Sequence, residues 1–149
     1  MTDINFANQS ITLKSTAKRS NRIVFFDDEC ENYLNRWLRL RDYRNIKNVL
    51  ALFVTARGRM EESSVARAVQ QPAVRLGLHD TTSSNIENHF SPHCCRHWFT
   101  THLDRAGMKR EHIQFLRGDA GREAIDICIH NGLEKIREEY LAGIPSLGV

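Results

Sequence analysis

Apolar and polar residues alternate through "QSITLKSTAKRSNRIVFF", on both sides of a run of small and basic residues. A period of two around a polar turn predicts a β-hairpin, with strands near Ser10–Lys14 and Arg22–Phe26. The period then changes. In "FFDDECENYLNRWLRLRDYR" the residues Cys30, Tyr33, Leu34, Trp37 and Leu38 recur at helical spacing, behind Asp27 or Asp28 as N-cap. That stripe is expected to face the core. "VLALFVT" predicts a short buried strand, "GRMEESSVARAV" a helix that Pro72 interrupts, and "HDTTSSNIENHF" a polar loop.

From Ser91 onward the pattern is helical. Ser91-Pro92 makes a helix start, with a hydroxyl at the N-cap and proline in the first turn. Gly107 ends that helix, and "MKREHIQFLR" forms a second that Gly118 stops. "GREAIDICIH" predicts a third. "LEKIREEYLAGI" predicts a fourth, with Leu133, Ile136, Tyr140, Leu141 and Ile144 on one face. The fold class expected is α+β, mainly α: a helical core with a small β-hairpin or sheet near the N-terminus. Residues 1–149 are expected to form one domain, without internal repeats.

Composition narrows the class without choosing a function. The chain is 41% hydrophobic and 26% charged with three prolines, which suits a folded globular protein. No apolar run approaches a membrane span, and the start lacks a signal-peptide layout, so no membrane partner is expected. The four cysteines are scattered and include an adjacent pair, which points to reduced thiols inside a cell. The net charge of +3 is compatible with nucleic acid and does not establish it, so placement of the charge must carry the argument. Lys14, Lys18, Arg19 and Arg22 cluster about the hairpin tip. They read either as a solvated turn or as a tip shaped to touch phosphate.

The chemistry concentrates in "SPHCCRHWFTTHLDRAGMK". At 100° per residue, His93, Arg96, His97, Thr100 and Asp104 share one face, while Cys95, Trp98, Phe99, His102, Leu103 and Ala106 take the other. His93 and His97 have a metal-ligand spacing, but Arg96 between them opposes a cation, and no Cys-x-x-Cys pair exists. No metal and no cofactor is expected. An arginine flanked by imidazoles does suit a phosphate that carries charge and exchanges protons. From spacing alone, ordinary surface polarity explains these residues equally well.

The segment "SPHCCRHWFTTHLDRAGMKREHIQFLRGDAGREAIDICIH" resembles the catalytic segment of the tyrosine recombinase (phage integrase) family. That pattern runs His-x-x-Arg-His, a Thr-His-Leu-like helix, a glycine, an Ile-Gln-x-x-Leu-x-Gly-His block, and Tyr-x-His nine residues on. His93, Arg96 and His97 match the first box, "TTHLDRAGM" the helix and glycine, and "IQFLRGD" the next block. "RIVFFDDE" resembles the strand after the family's basic hairpin. "LRGD" and the ending "EEYLAGIPSLGV" look most like archaeal integrases of mobile elements such as viruses or plasmids. The match covers nearly the whole chain and is strongest from Ser91 to His130.

The resemblance implies DNA strand joining through a covalent 3′-phosphotyrosine. His93 would be an acid/base or phosphate donor and Arg96 the second arginine. Lys18, or else Lys14, would be the hairpin lysine that protonates the leaving oxygen, and His97 a structural neighbour. Arg19, Arg22, Arg96 and His97 would join the two lysines in holding double-stranded DNA.

Three departures follow. The family's first arginine precedes a segment resembling "MTDINF", so this chain is expected to lack it and to represent the C-terminal part of the catalytic domain. The second His-class position is Asp119, an anion that repels phosphate unless protonated or paired with Arg117 or Arg122. The nucleophile position holds Cys128, and a soft thiolate is a poor match for phosphorus.

The expectation is a DNA-binding recombinase relative in the cytoplasm, at the nucleoid, inactive or impaired alone. It would act as a homo-oligomer or beside a full-length integrase. The alternatives are an active enzyme using Tyr140 or Cys128 with a partner chain, and a His/Cys metal or protein-interaction module. Tyr140 lies on the apolar face of its helix, which favours a core or docking role for it.

Overall fold

The computed structural model describes residues 3–13, 22–43, 49–119 and 132–148. It divides into two compact units, one of residues 1–44 and 99–149 and one of residues 45–98.

The first unit opens with an antiparallel sheet in the order β1 (Ile4–Asn5), β2 (Ser10–Leu13), β3 (Arg22–Phe25). Strands β2 and β3 form the expected hairpin, in register from Ser10 opposite Phe25 to Leu13 opposite Arg22. Lys14, Lys18 and Arg19 lie outside the described residues.

Helix α1 (Asp28–Tyr43) follows at once, because Asp27 caps it: its carboxylate accepts from the Cys30 amide at 2.8 Å. The apolar stripe of α1 is only partly a core face. Leu34 is buried and Trp37 and Leu38 are half-buried, whereas Cys30 and Tyr33 are exposed. Tyr33 sits at the edge of the stripe, where the Arg36 guanidinium lies 5.5 Å from its ring centre. The stripe continues instead through Arg41, which is buried.

The core of this unit gathers at α3 (Pro92–Arg105), α4 (Arg110–Arg117) and α5 (Leu133–Gly143). Leu103, Met108, Ile113, Phe115, Leu116, Ile136 and Tyr140 form it, with Phe25, Phe99, Leu133, Leu141 and Ile144 packed around. Gly107 and Gly118 stop α3 and α4 as expected. At each stop the glycine adopts φ +82 and +73, and the amide after it reaches back to Leu103 or Gln114 at 3.0 Å. The predicted helix "GREAIDICIH", with Cys128, lies outside the described residues.

Polar contacts fasten α5 at three places. Arg137 donates to the Asn8 carbonyl at 2.9 Å and to the Gln9 side chain at 3.2 Å. Glu139 meets His112 Nδ1 at 2.6 Å. Beyond α5, Glu29 accepts from the Ser146 hydroxyl and from the amides of Leu147 and Gly148 at 2.7–2.8 Å. Successive amides closed on an anion at a positive-φ glycine form a nest, and here the anion is the protein's own.

In the second unit, "VLALFVT" yields only the two-residue strand β4 (Val54–Thr55), paired with β5 (Gly58–Arg59). Val54 is buried, but Leu50 is 91% exposed, so the run is not the buried strand its composition predicts. Helix α2 (Glu62–Arg75) runs through Pro72 rather than breaking there. A proline in the last turn forfeits one intrahelical bond, and the turn closes beyond it with the Leu76 amide on the Pro72 carbonyl at 3.1 Å. The polar loop after α2 folds on side-chain turns, with Asp80 accepting from Thr82 and Asn85 capping a short 3₁₀ turn at Ile86–Asn88.

Candidate nucleic-acid interface

Helix α3 begins where the sequence places it. The Ser91 carbonyl accepts from the Cys94 amide at 2.9 Å, and the Ser91 hydroxyl lies 3.8 Å from Cys94 Sγ. Pro92 loses nothing in the first turn, where its missing N–H would have no helical partner.

His93, Arg96 and His97 fall on the first two turns of α3, within the second unit. Their order brings the imidazoles together: the His93 and His97 rings are 4.5 Å apart, edge to face at 89°. Both histidines are exposed and Arg96 is half-buried. The core side of the helix is less uniform than its pattern. Leu103 is fully buried and Phe99 half-buried, while Cys95 is exposed and Trp98 is 39% exposed. Among the described residues, no three His, Cys, Asp or Glu side chains converge as a metal site.

Two basic residues that the sequence reading passed over lie in the same unit. Arg57 and Arg59 flank Gly58 on the β4–β5 hairpin, and both are exposed. The signal was present in "TARGR", a glycine turn between arginines, but it was absorbed into the neighbouring strand and helix.

The remaining predicted residues belong to the first unit or lie outside the description. Asp119 follows Gly118 and pairs with Arg117 at 2.8 Å. Arg22, at the base of the hairpin, crosses the same turn: a Cβ placed on Gly118 would come within 2.7 Å of Arg22 Cζ. Arg22, Arg117 and Asp119 therefore surround one glycine. Tyr140 is 7% exposed, with Phe25 and Phe99 each 6.2 Å away by ring centres. Burial foremost, then the negative charges of Asp27 and Cys30, push its phenol far above the ordinary value. Cys128, Lys14, Lys18 and Arg19 are not among the described residues.

A small hairpin sheet ahead of a helical core that carries His-x-x-Arg-His on one helix and a glycine-stopped helix after it defines a class. Residues 1–130 match the model of the phage integrase family, and the chain belongs to that family. Among individual proteins it is similar to the tyrosine recombinase XerC of Corynebacterium glutamicum, 27% identical over 146 residues, covering 97% of this chain and 44% of that protein. It is also similar to XerC of Lactobacillus leichmannii, 30% identical over 129 residues, 84% of this chain and 41% of that protein. The crystal structure of XerA recombinase superposes with a TM-score of 0.69 at 26% identity, covering 98% of this chain and 50% of that one. The chain thus spans less than half the length of these curated relatives.

Proposed function

We propose that these residues bind double-stranded DNA by its phosphate backbone, as part of a site-specific recombinase, and do not cut it alone. The observation that carries this is the exposed imidazole pair of His93 and His97, held 4.5 Å apart on the first turns of α3 with Arg96 between them in sequence.

The chemistry follows from the donors. Arg96 offers a planar fork to two non-bridging oxygens, and His93 adds a third donor or exchanges a proton. Fixed donors aimed at a phosphate also stabilise the charge that builds up on it when a strand is displaced. Lys18, or else Lys14, supplies the proton for the leaving oxygen from the hairpin, and Lys14, Lys18, Arg19, Arg22 and His97 extend the grip. Asp119 does not repel the phosphate, because Arg117 neutralises it.

Cleavage additionally needs a nucleophile and a further arginine, the family's first. Cys128 occupies the nucleophile position, and a thiolate attacks phosphorus poorly. Tyr140 is buried and its phenol is held protonated, which counts against its attacking a backbone. The family's first arginine is not among these residues, and a partner chain such as a full-length integrase supplies it. The resemblance of "LRGD" and "EEYLAGIPSLGV" to archaeal integrases favours an origin in an archaeal mobile element.

Fluorescence anisotropy with mixed-sequence duplex DNA across a salt series tests the reading. Binding that weakens steeply with salt is expected, and Arg96→Ala should weaken it further and flatten the slope by about one contact. Absence of binding at low salt, or binding indifferent to Arg96, overturns it.

A further inference from the structure

Helix α1 leaves a stripe of large apolar side chains in solvent: Tyr33 is 48% exposed, Leu40 41% and Tyr43 87%. Together with Glu29 and Arg36 they follow one another at intervals of four, three, four and three residues. At 100° per residue these five positions fall within about 80° of arc. Alternation of three and four makes the narrow seam by which one helix pairs with another, rather than the wider face that a globular core takes up. Leu34 and Arg41, the buried residues of α1, lie about 80–100° round from Tyr33, so the seam is separate from the face that α1 buries.

Charge along the seam is divided by sign. Asp28 and Glu29 stand in the first turn, while Arg36 and Arg39 stand two to three turns further on, both exposed. Gln9 donates to Asp28, and the Ser146 hydroxyl and tail amides donate to Glu29. Those donors are neutral and do not cancel the negative end. Asp42 lies on the opposite side of the helix from Tyr33 and takes no part. A polyanion laid along this face would meet Asp28 and Glu29, and a polycation would meet the two arginines. A parallel copy of α1 would set acid on acid. An antiparallel copy sets the acidic turn of each helix beside the arginines of the other, and brings Tyr33 and Leu40 of the two copies together around the crossing.

We propose that α1 is the contact of a two-fold dimer, pairing antiparallel with α1 of a second copy of this chain. Such a contact uses the same patch on both partners and closes at two copies. A 16-residue helix spans about 24 Å, so the interface is small and the dimer weak and concentration-dependent. The inference stands apart from the DNA reading, since it uses a different helix from the one that carries His93 and Arg96.

Sedimentation equilibrium of the full chain, over a range of concentrations at low and at moderate salt, reads the pairing. The wild type should pass from monomer to dimer without larger species, and salt should weaken the dimer by screening the exposed charge pairs. Leu40→Glu places an acid in the seam and should raise the dissociation constant about tenfold or more. Arg36→Glu/Arg39→Glu makes the whole face acidic, so its residual pairing should strengthen with salt instead of weakening. All three side chains are exposed, so circular dichroism and melting temperature should stay at the wild-type values at concentrations where the wild type is monomeric.

A wild type that stays monomeric at every concentration overturns the proposal, as does a dimer that neither variant weakens. A dimer that Leu40→Glu breaks but salt does not weaken overturns the antiparallel charge pairing on which it rests. A wild type that is monomeric and loses duplex DNA in anisotropy on Leu40→Glu substitution assigns the face to DNA and overturns it as well.

Discussion

His112 has no exposed surface, and its Nδ1 lies 2.6 Å from a Glu139 oxygen. Burial would push the Glu139 carboxyl up, but the His112 hydrogen bond, the Lys109 amide and the charges of both residues outweigh it and hold the group below the usual carboxylate range. A depressed folded-state value stabilises the fold above the unfolded value, and that contribution disappears as pH falls through the folded one. Stability should therefore decline on the acid side of about pH 4.5, and Glu139→Gln should flatten that decline in a pH series of urea melts. Gly118 permits a second prediction. It combines φ +73 with a guanidinium where a Cβ would stand, so Gly118→Ala should cost about 1–3 kcal/mol in denaturant unfolding. Asp27 caps a helix and Gly107 and Gly118 end helices just as their residue types indicate, because a cap is satisfied by neighbours in sequence. The exposure of Tyr33 and the burial of Arg41 were not legible, since they depend on which face of α1 the rest of the chain covers.

At the scale of elements, α5 is held by both apolar and polar contacts. Ile136 is fully buried, and Ile136→Ala should destabilise the protein by about 2–5 kcal/mol, measured by thermal or urea melts. The tail behaves differently. Its described polar contacts converge on Glu29, so Glu29→Ala should speed amide exchange at Leu147 and Gly148 with little change at the buried Ile113 and Leu116. The apolar period of "LEKIREEYLAGI" announced α5, but nothing local announced a carboxylate 117 residues away in sequence from Ser146 as the partner of the tail. The same limit explains "VLALFVT" and Pro72. An apolar run promises burial only if something covers it, and a proline ends a helix only if the remaining turn cannot close.

For the molecule as a whole, the sequence pattern and the fold converge on one family, and the chemistry then divides. His93 and His97 stand exposed on α3 with Arg96 half-buried between them, whereas Tyr140, the tyrosine nearest the C-terminus, is built into the core. In an absorbance titration, Tyr140→Phe should remove an ionisation step that occurs well above pH 10 and together with unfolding. The box around Arg96 and the position of Cys128 were legible because both are fixed by spacing within the sequence.

On the function proposed above, these residues hold DNA and do not cut it alone. Incubation with a pool of nicked random-sequence duplexes, followed by denaturing electrophoresis, tests it most directly. A complex should form under native conditions and leave no protein–DNA band after denaturation. A denaturation-resistant band that a protease removes, with the linkage mapped to Cys128 or Tyr140, would contradict it.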